Sequence, residues 1–180
     1  MKEYKIVLLG SVGAGKSTAI KSIAKNSIVS TDVKNTDPSI DKELTTVAMD
    51  YGDINLPNGD RLRVFGTPGQ DRFDFIWPIL LSGALGAIVL VDATRGDATD
   101  EIDRYLNILV EQSPRPPFVV GMTKLDVNPG VNLEHFQAHL EKRQLIVPMM
   151  PVDARSESDV LMLLDALVSE IESIDITTNQ

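Results

Sequence analysis

Short runs of aliphatic and β-branched residues alternate along the chain with stretches of helical periodicity. Continuous or alternating apolar runs predict strands, and apolar residues at every third or fourth position predict helices. The predicted strands cover residues 5–9, 46–54, 61–65, 87–91, 118–121 and 145–150. The predicted helices cover residues 16–26, 98–112, 133–143 and a last stretch after Ser156. This order favours an α/β domain with a mostly parallel sheet.

Two of the predicted strands, 46–54 and 61–65, alternate apolar and polar residues, and the turn at residues 58–60 is Asn-Gly-Asp. Such a turn is typical of a β-hairpin. We therefore expect a six-stranded sheet with one antiparallel hairpin strand at its edge. Residues 28–45 are polar and predict a long loop, a kind of segment that is usually functional or disordered.

The last helix begins at a capping box formed by Ser156 and Asp159. Its apolar residues continue at helical spacing as far as Ile171. We expect one domain over residues 1–174, followed by a frayed C-terminal tail at 175–180.

The chain has 180 residues and a net charge of -9, which suits one domain and disfavours a nucleic-acid partner. It contains no cysteine, which excludes disulfides, thiolate zinc sites and a cysteine nucleophile. No signal-peptide pattern is present at the N-terminus, and the longest apolar stretch, 79–91, is too short to span a bilayer. We expect a cytoplasmic protein that reaches the inner membrane face only indirectly, when partners recruit it.

Residues 10–17 read G-S-V-G-A-G-K-S, which fits the phosphate-binding pattern G-x-x-x-x-G-K-[ST] between a predicted strand and helix. Glycines let the backbone turn tightly and direct N–H groups at phosphate oxygens. Lys16 would reach the β- and γ-phosphates, Ser17 would ligate Mg²⁺, and Thr18 would line the α-phosphate side. The loop backbone that cradles the phosphates is contributed by Gly13, Ala14 and Gly15.

Thr123, Lys124 and Asp126 follow directly after a predicted strand. A carboxylate there can accept two hydrogen bonds from the N1 and N2 donors of guanine, and adenine has no such pair of donors. The Lys124 stem would pack on the face of the base. Asp153, Ala154 and Arg155 follow the next strand, and the Ala154 N–H could bond guanine O6. Taken alone, the T-K-L-D segment could also be a solvated loop.

Together with the phosphate loop, this order and spacing resembles that of the Ras-like small GTPases, over essentially the whole chain. The segments T-T-V-A-M-D-Y-G at 45–52 and V-F-G-T-P-G-Q-D-R-F at 64–73 are most similar to the prokaryotic MglA-like group and its conservon-type members. The resemblance implies a three-layer P-loop NTPase fold and guanine specificity. Small GTPases usually carry Asn at the position of Thr123, but some Rho-type members share T-K-L-D.

The resemblance also assigns roles around the γ-phosphate. Thr46 would ligate Mg²⁺ and sense that phosphate, with Thr45 as the alternative, although both could simply be β-favouring residues at the start of a strand. The Gly69 N–H would contact the γ-phosphate, and Gln70 would orient the attacking water. The expected catalytic set is therefore Gln70, Lys16 and Gly69, and the expected metal ligands are Ser17 and Thr46.

Gly66 departs from the small-GTPase pattern, which places a magnesium-holding Asp there. The candidates to replace this carboxylate are Asp92, Asp37 and Asp41, and the sequence does not choose among them. The MglA-like group commonly lacks the same acid.

Residues 28–46 contain no arginine that could act as an arginine finger. Arg72 is the nearby candidate, with a surface ion pair as its other possible role. We therefore expect hydrolysis to be slow unless a partner stimulates it.

The expected function is a molecular switch of bacterial signalling or cell organisation that binds and hydrolyses GTP with Mg²⁺ as cofactor. Its expected partners are a roadblock-type regulatory protein and an effector, bound through residues 30–46 and 66–80. The aromatic residues near Phe73 and Trp77 could be partner contacts or core. One alternative is a pseudo-GTPase scaffold with negligible hydrolysis. A P-loop kinase or ATPase is less favoured, because no Arg-rich lid is present.

Overall fold

The computed structural model of the protein describes residues 1–24, 26–29, 49–70, 73, 76–112 and 116–178, with the backbone alone at 26–29 and 175–178. Its strands are β1 (Glu3–Leu9), β2 (Asn26–Val29), β3 (Asp50–Asn55), β4 (Arg61–Gly66), β5 (Gly86–Asp92), β6 (Phe118–Thr123) and β7 (Met149–Pro151). Its helices are α1 (Lys16–Ile23), α2 (Trp77–Leu81), α3 (Ala98–Val110), α4 (Leu133–Lys142) and α5 (Glu157–Thr178).

The strands described form one sheet in the order β2-β3-β4-β1-β5-β6-β7. Every neighbouring pair is parallel except the two that involve β3, which runs antiparallel to both β2 and β4. The α/β fold of a P-loop NTPase with a mostly parallel sheet is thus confirmed.

The sheet has one strand more than the six that the sequence predicts, because Asn26–Val29 pairs with β3. The antiparallel strand β3 therefore lies inside the sheet and not at its edge. Helical periodicity carried the predicted first helix to residue 26. The helix ends at Ile23, because Ala24 adopts an extended conformation with φ -99° and ψ 118°.

The strand predicted at 145–150 is reduced to Met149–Pro151. The preceding residues close α4: the N–H of Leu145 bonds the carbonyl oxygen of Leu140 at 3.1 Å, and Gln144 has a φ of 58°. This pattern is a Schellman motif, with glutamine at the position that glycine usually takes. The apolar Ile146 that suggested a strand is 95% exposed. The strand predicted at 46–54 is β3, which begins at Asp50. Residues 46–48 lie outside the described part of the chain.

Each face of the sheet carries its own apolar core. Ala87, Val89 and Val91 of β5 pack in one core together with residues of α2, α3 and α4. The alternate residues, Ile88 and Leu90, pack in the other with residues of α1 and α5. Since successive side chains of a strand point to opposite faces, β5 is buried on both sides, as its continuous apolar run predicts.

Parallel strands bring the segments that follow them to one edge of the sheet, where α/β proteins bind ligands. The phosphate loop, residues 67–70, the segment after β5 and the loop that begins at Lys124 all lie at this edge. At the other end of the chain, the α5 backbone continues to Thr178, four residues beyond the predicted end of the domain. The division at residue 174 stays a prediction. Among the described helices, none is both long and apolar enough to cross a bilayer.

Candidate nucleotide-binding site

The phosphate loop joins β1 to α1 through glycines with positive φ angles. Gly10, Gly13 and Gly15 have φ values of 151°, 82° and 105°. A Cβ on Gly10 would lie 2.4 Å from the carbonyl oxygen of Leu90, so a larger residue does not fit there. Because α1 begins directly after Gly15, the loop and the positive end of the helix dipole form a cradle for an anion.

The Lys16 side chain is buried inside this loop. Its Nζ donates hydrogen bonds to the carbonyl oxygens of Gly10 at 2.6 Å and Ser11 at 2.8 Å. Burial lowers the pKa of Lys16 to about 8, while the charges of Glu101 and Asp50 act in the opposite direction. The ammonium is therefore held by backbone acceptors at the place where a bound phosphate would meet it.

Ser17 and Thr18 follow on the first turn of α1. The Ser17 hydroxyl donates to the carboxylate of Asp50, the first residue of β3. Thr18 is exposed and lines a cavity that extends from the phosphate loop to the loops after β6 and β7. Thr46 and its alternative Thr45 lie outside the described residues.

Residues 67–70 run from the end of β4 across the phosphate loop. The Thr67 N–H and hydroxyl both donate to the carbonyl oxygen of Leu8, at 2.9 Å and 3.1 Å. A Cβ on Gly69 would lie 2.5 Å from the backbone N of Val12 and 2.9 Å from Lys16 Nζ. Only glycine therefore allows this segment to lie so close to the loop.

Gln70 is exposed and lines a cavity of about 640 Å³ beside the phosphate loop. The lining of this cavity also includes Glu101, which is 7% exposed and accepts a hydrogen bond from the Ser11 N–H at 2.9 Å. Arg95 lines the same cavity and pairs with both carboxylate oxygens of Asp97, at 2.8 Å and 2.7 Å.

Sequence reasoning missed three residues at these contacts, Asp50, Glu101 and Arg95. Nothing local separates Glu101 from the other acids at the start of α3. Asp50 could have been found from its pairing with Gly66, once the hairpin register is known. Arg72, the expected candidate for an arginine finger, lies outside the described residues.

A second cavity, of about 250 Å³, continues from the phosphate loop towards the loops after β6 and β7. Residues predicted for phosphate and base binding line it together. They are Gly13, Ala14, Gly15, Thr18, Thr123, Lys124, Asp126, Asp153, Ala154 and Arg155.

Thr123 connects this cavity to the strands beneath it. Its buried hydroxyl donates to the carbonyl oxygen of Ala14 at 2.9 Å and lies 3.1 Å from that of Val91. Lys124 has a φ of 62°, and its Nζ lies 2.5 Å from Asp92 Oδ2. Burial raises the pKa of Asp92, but hydrogen bonds, including the one from Lys124, outweigh it and leave this pKa lowered.

Arg155 holds two acids of the cavity together. One of its terminal nitrogens lies 2.8 Å from Asp126 Oδ2 and 2.8 Å from Asp153 Oδ2. Hydrogen bonds from the Arg155 side chain and backbone lower the pKa of Asp153 to about 2. The Asp126 side chain is 58% exposed, so a ligand entering the cavity can reach its carboxylate.

The described apolar residues after Gln70 divide between core and surface. Phe73, Ile76 and Trp77 are 8%, 3% and 0% exposed and belong to the core between the sheet and α3. Ile79 on α2 is 64% exposed. Of the two expectations for this segment, core packing therefore applies to Phe73 and Trp77.

Comparison with known proteins gives a family and a set of distant relatives. The model of a family described as conserved hypothetical ATP-binding proteins matches residues 8–175. An uncharacterized protein of Methanocaldococcus jannaschii is 31% identical over 125 residues, which are 69% of this chain and 72% of that protein.

Small GTPases are also similar along most of the chain. The Ras-related protein Rab-1C of Dictyostelium discoideum is 28% identical over 93% of this chain and 80% of its own length. The Ras-related protein Rab-5B of Plasmodium falciparum is 26% identical over 95% of this chain and 79% of its own. The finer assignment to the MglA-like, conservon-type group stays a prediction. Since the family model spans residues 8–175, the chain belongs to the family of conserved hypothetical ATP-binding proteins and is a P-loop nucleotide-binding protein distantly related to the Ras and Rab GTPases.

Proposed function

We propose that the protein is a switch that binds GTP and hydrolyses it to GDP, with a partner that distinguishes the two states. The observation that carries this proposal is that Lys124, Asp126 and Ala154 line the same cavity as the glycines of the phosphate loop. A nucleotide with its phosphates on the loop would place its base among these residues.

Guanine suits this cavity better than adenine does. The Asp126 carboxylate can accept hydrogen bonds from guanine N1 and N2, and the same carboxylate would face an acceptor, N1, of adenine. The Ala154 N–H can donate to guanine O6, and the Lys124 stem can cover one face of the base. A site that pairs its polar groups with one base rejects the other by leaving those groups unpaired.

Hydrolysis would be the attack of water on the γ-phosphate, with Gln70 orienting the water at the wall of the 640 Å³ cavity. Lys16 and the Gly69 N–H would stabilise the charge that develops on the phosphate oxygens. Bound Mg²⁺ would supply further charge neutralisation, and Ser17 and Thr46 are the residues that we propose to hold it. Because Arg95 on the wall of this cavity is paired with Asp97, the reaction would be slow until a partner stimulates it.

The partners would bind segments that change with the nucleotide state, which we place at residues 30–46 and 66–80. A roadblock-type regulatory protein and an effector are the partners we propose. The exposed Ile79 supports this in part, because it offers an apolar contact next to the segment that carries Gly69 and Gln70. A partner acts as a switch reader only if its affinity for the two states differs.

Adenine nucleotides are the second candidate ligand, for an ATPase or a kinase. Two observations favour them: the description of the matching family as ATP-binding, and the ion pair that already engages Asp126 with Arg155. If Arg155 keeps this partner when a nucleotide binds, it competes with guanine N1 and N2 for the Asp126 carboxylate.

Calorimetric titration of the nucleotide-free protein with GDP and with ADP, in Mg²⁺ buffer, separates the two candidates. We expect GDP to bind more tightly. Asp126→Asn should weaken GDP binding at least about tenfold, because a charged acceptor is lost. Asp165→Asn, on the exposed side of α5, is the matched control and should bind as the wild type does. Equal or tighter binding of ADP would contradict guanine specificity and favour the hypothesis of an ATPase or kinase.

Hydrolysis is tested separately by Gln70→Leu, which keeps the size of the side chain and removes its amide. We expect this variant to keep GTP affinity and to lose most of its phosphate release, both alone and with a stimulating partner. If wild-type protein releases no phosphate, the scaffold alternative is supported instead. If wild type releases phosphate and the variant does so at the same rate, the role proposed for Gln70 is wrong.

A further inference from the structure

Glu101 of α3 is a buried acid that contacts the backbone of the phosphate loop. Its Oε1 accepts a hydrogen bond from the Ser11 N–H at 2.9 Å. Burying a carboxylate is costly unless charges or hydrogen bonds compensate it. Asp100 lies in the same first turn of α3 but is exposed. The helix dipole therefore explains an acid at residue 100, and it does not explain why the acid at residue 101 is buried against the loop.

The Ser11 N–H belongs to the same peptide group as the carbonyl of Gly10. That carbonyl oxygen accepts a hydrogen bond from Lys16 Nζ at 2.6 Å. One planar peptide group therefore lies between two charged side chains, with its carbonyl oxygen on the ammonium of Lys16 and its N–H on the carboxylate of Glu101. Hydrogen bonds in such a chain polarise and strengthen one another, so the bond at each end of the peptide favours the bond at the other end.

The charge of Glu101 acts on Lys16 in the same sense. Burial lowers the pKa of Lys16, and the charge of Glu101 opposes this effect more than the charge of Asp50 does. The second carboxylate oxygen of Glu101, Oε2, lies 3.7 Å from Arg95 Nε and makes no hydrogen bond within the described part of the chain. The bond from the Ser11 N–H therefore orients the carboxylate.

The other acids expected near the phosphates have different partners. Asp50 contacts a side-chain hydroxyl of α1, and Asp92 pairs with the lysine that follows β6. Asp37 and Asp41 lie outside the described residues. Of these acids, Glu101 is thus the one whose carboxylate contacts the backbone of the phosphate loop in the described structure.

We propose that Glu101 is a positioning residue of the nucleotide site, which fixes the Gly10–Ser11 peptide and thereby holds the Lys16 ammonium where a phosphate binds. Ordering a long lysine side chain costs conformational entropy, and a lysine already in place spares the nucleotide this cost. Glu101 acts through the loop and does not touch the nucleotide. The inference rests on the proposed function only in that a nucleotide binds the phosphate loop, and it holds for either base.

A double-mutant cycle between Glu101 and Lys16 tests the inference, with calorimetry of the full chain and GDP in Mg²⁺ buffer. Glu101→Met keeps the approximate size of the side chain and removes the acceptor. It should weaken GDP binding about tenfold, because a hydrogen bond to a charged group is lost. In the Lys16→Met background the same change should alter the affinity less than about twofold, because Glu101 acts through Lys16. A purely structural role would give the same loss in both backgrounds.

Asp100→Asn is the matched control, because Asp100 lines the same cavity at the same helix end but is exposed. It should bind GDP as wild type does. Glu101→Gln keeps an oxygen that can accept from the Ser11 N–H, so it should lose less affinity than Glu101→Met. If Glu101→Met does not fold, the cycle is measured with Glu101→Gln, which keeps the shape and removes the charge.

A second measurement follows the Lys16 ammonium by NMR without any nucleotide. In protein with isotope-labelled lysine, an ammonium held by two carbonyl oxygens should exchange its protons slowly and give an Nζ signal. Loss of this signal in Lys16→Met assigns it. The signal should persist in Asp100→Asn and disappear in Glu101→Met, because the ammonium is then no longer held in place.

Three results would overturn the inference. They are wild-type GDP affinity in folded Glu101→Met, an equal loss of affinity with and without Lys16, and a Lys16 signal that Glu101→Met leaves unchanged. If wild-type protein binds neither GDP nor ADP, the proposed function fails and the Lys16 signal decides the inference, as it does if Lys16→Met binds too weakly to measure. Tighter binding of ADP contradicts guanine specificity alone, and the cycle is then measured with ADP.

Discussion

At the scale of single residues, Lys16 shows how the site sets charge against burial. The side chain is 7% exposed, and burial would favour its neutral form. Carbonyl oxygens of Gly10 and Ser11 hold its ammonium, and two carboxylates, of Glu101 and Asp50, favour its charge. A pKa of about 8 leaves Lys16 charged at neutral pH, so it can bind a phosphate.

This lowered pKa predicts a pH dependence of nucleotide binding. A bound phosphate favours the ammonium and raises its pKa, so binding above pH 8 takes up a proton, and affinity falls by up to about tenfold per pH unit. Calorimetry with GDP at pH 7.0 and 8.5, in buffers of different ionisation enthalpy, measures both the affinity and the proton uptake. Lys21→Met, on the exposed side of α1, should leave the dependence intact. Constant affinity without proton uptake would contradict the prediction.

The lowered pKa of Lys16 also makes the stability of the fold depend on pH. The free energy of unfolding rises with pH, whereas nucleotide affinity falls. The ordinary lysine pKa of 10.5 is lowered in the folded protein to about 8, so the unfolded chain binds more protons between these two values. The cost of burying the charged lysine is therefore full below pH 8 and is relieved as the pH rises through this window.

At the scale of elements, Thr123 joins three segments of the chain. It ends β6, donates to Ala14 in the phosphate loop, and lies against the Val91 carbonyl oxygen of β5. Small GTPases usually have Asn at this position. In this protein the Thr123 hydroxyl joins the end of β6 to the phosphate loop.

Replacing Thr123 with Val keeps the shape and removes the hydroxyl. Because the buried Ala14 carbonyl oxygen then loses this donor, we expect the free energy of unfolding to fall by about 1–3 kcal/mol. Urea unfolding followed by circular dichroism measures the change. The exposed hydroxyl of Ser169 offers the comparison, and Ser169→Ala should change stability little. An unfolding free energy of Thr123→Val equal to that of wild type would show that the bond does not stabilise the fold.

Elements with strong local signals could be predicted from the sequence. The continuous apolar run of β5, the phosphate loop and the cap of α5 each carry their information within a few residues. In the cap, the Ser156 hydroxyl lies 2.8 Å from Asp159 Oδ1 and accepts from the Asp159 N–H at 3.2 Å. The residues predicted to bind the base line one cavity, and they could be located because they directly follow predicted strands. Their role in binding stays a prediction.

The rest depends on contacts between distant segments. The edge strand β2 is only four residues long, and it is a strand because it pairs with β3. The apolar residues after α4 resemble a strand locally, but the helix cap uses Leu145 and leaves Ile146 in solvent. Likewise, Glu101 meets the phosphate loop only because the fold brings residues 90 positions apart together.

At the scale of the whole molecule, α5 covers one face of the sheet at close range. Two strand glycines permit this approach. A Cβ on Gly86 would lie 2.9 Å from Leu167 Cδ1, and a Cβ on Gly121 would lie 2.8 Å from Leu163 Cδ2. The helix thereby closes one of the two cores beneath the edge that carries the nucleotide-site loops.

Leu167 is 0% exposed in this core, and Leu167→Ala should lower the free energy of unfolding by about 2–5 kcal/mol through lost contacts and a residual cavity. Denaturant unfolding measures the loss. Leu161→Ala, on the same helix at a position that is 39% exposed, should cost less. Equal costs for the two variants would contradict the packing described for α5.

The pairing of Asp50 with Gly66 has a consequence for how such proteins are sought in sequence collections. A search pattern reads residues in linear order, and at residue 66 it meets a glycine where it requires an acid. The fold presents positions 50 and 66 as one cross-strand pair. A pattern that accepts an acid at either member of the pair would retain chains that a pattern confined to the β4 segment discards. In this chain, the unit that carries the acid is therefore a pair of positions on two strands, and the hairpin register defines it.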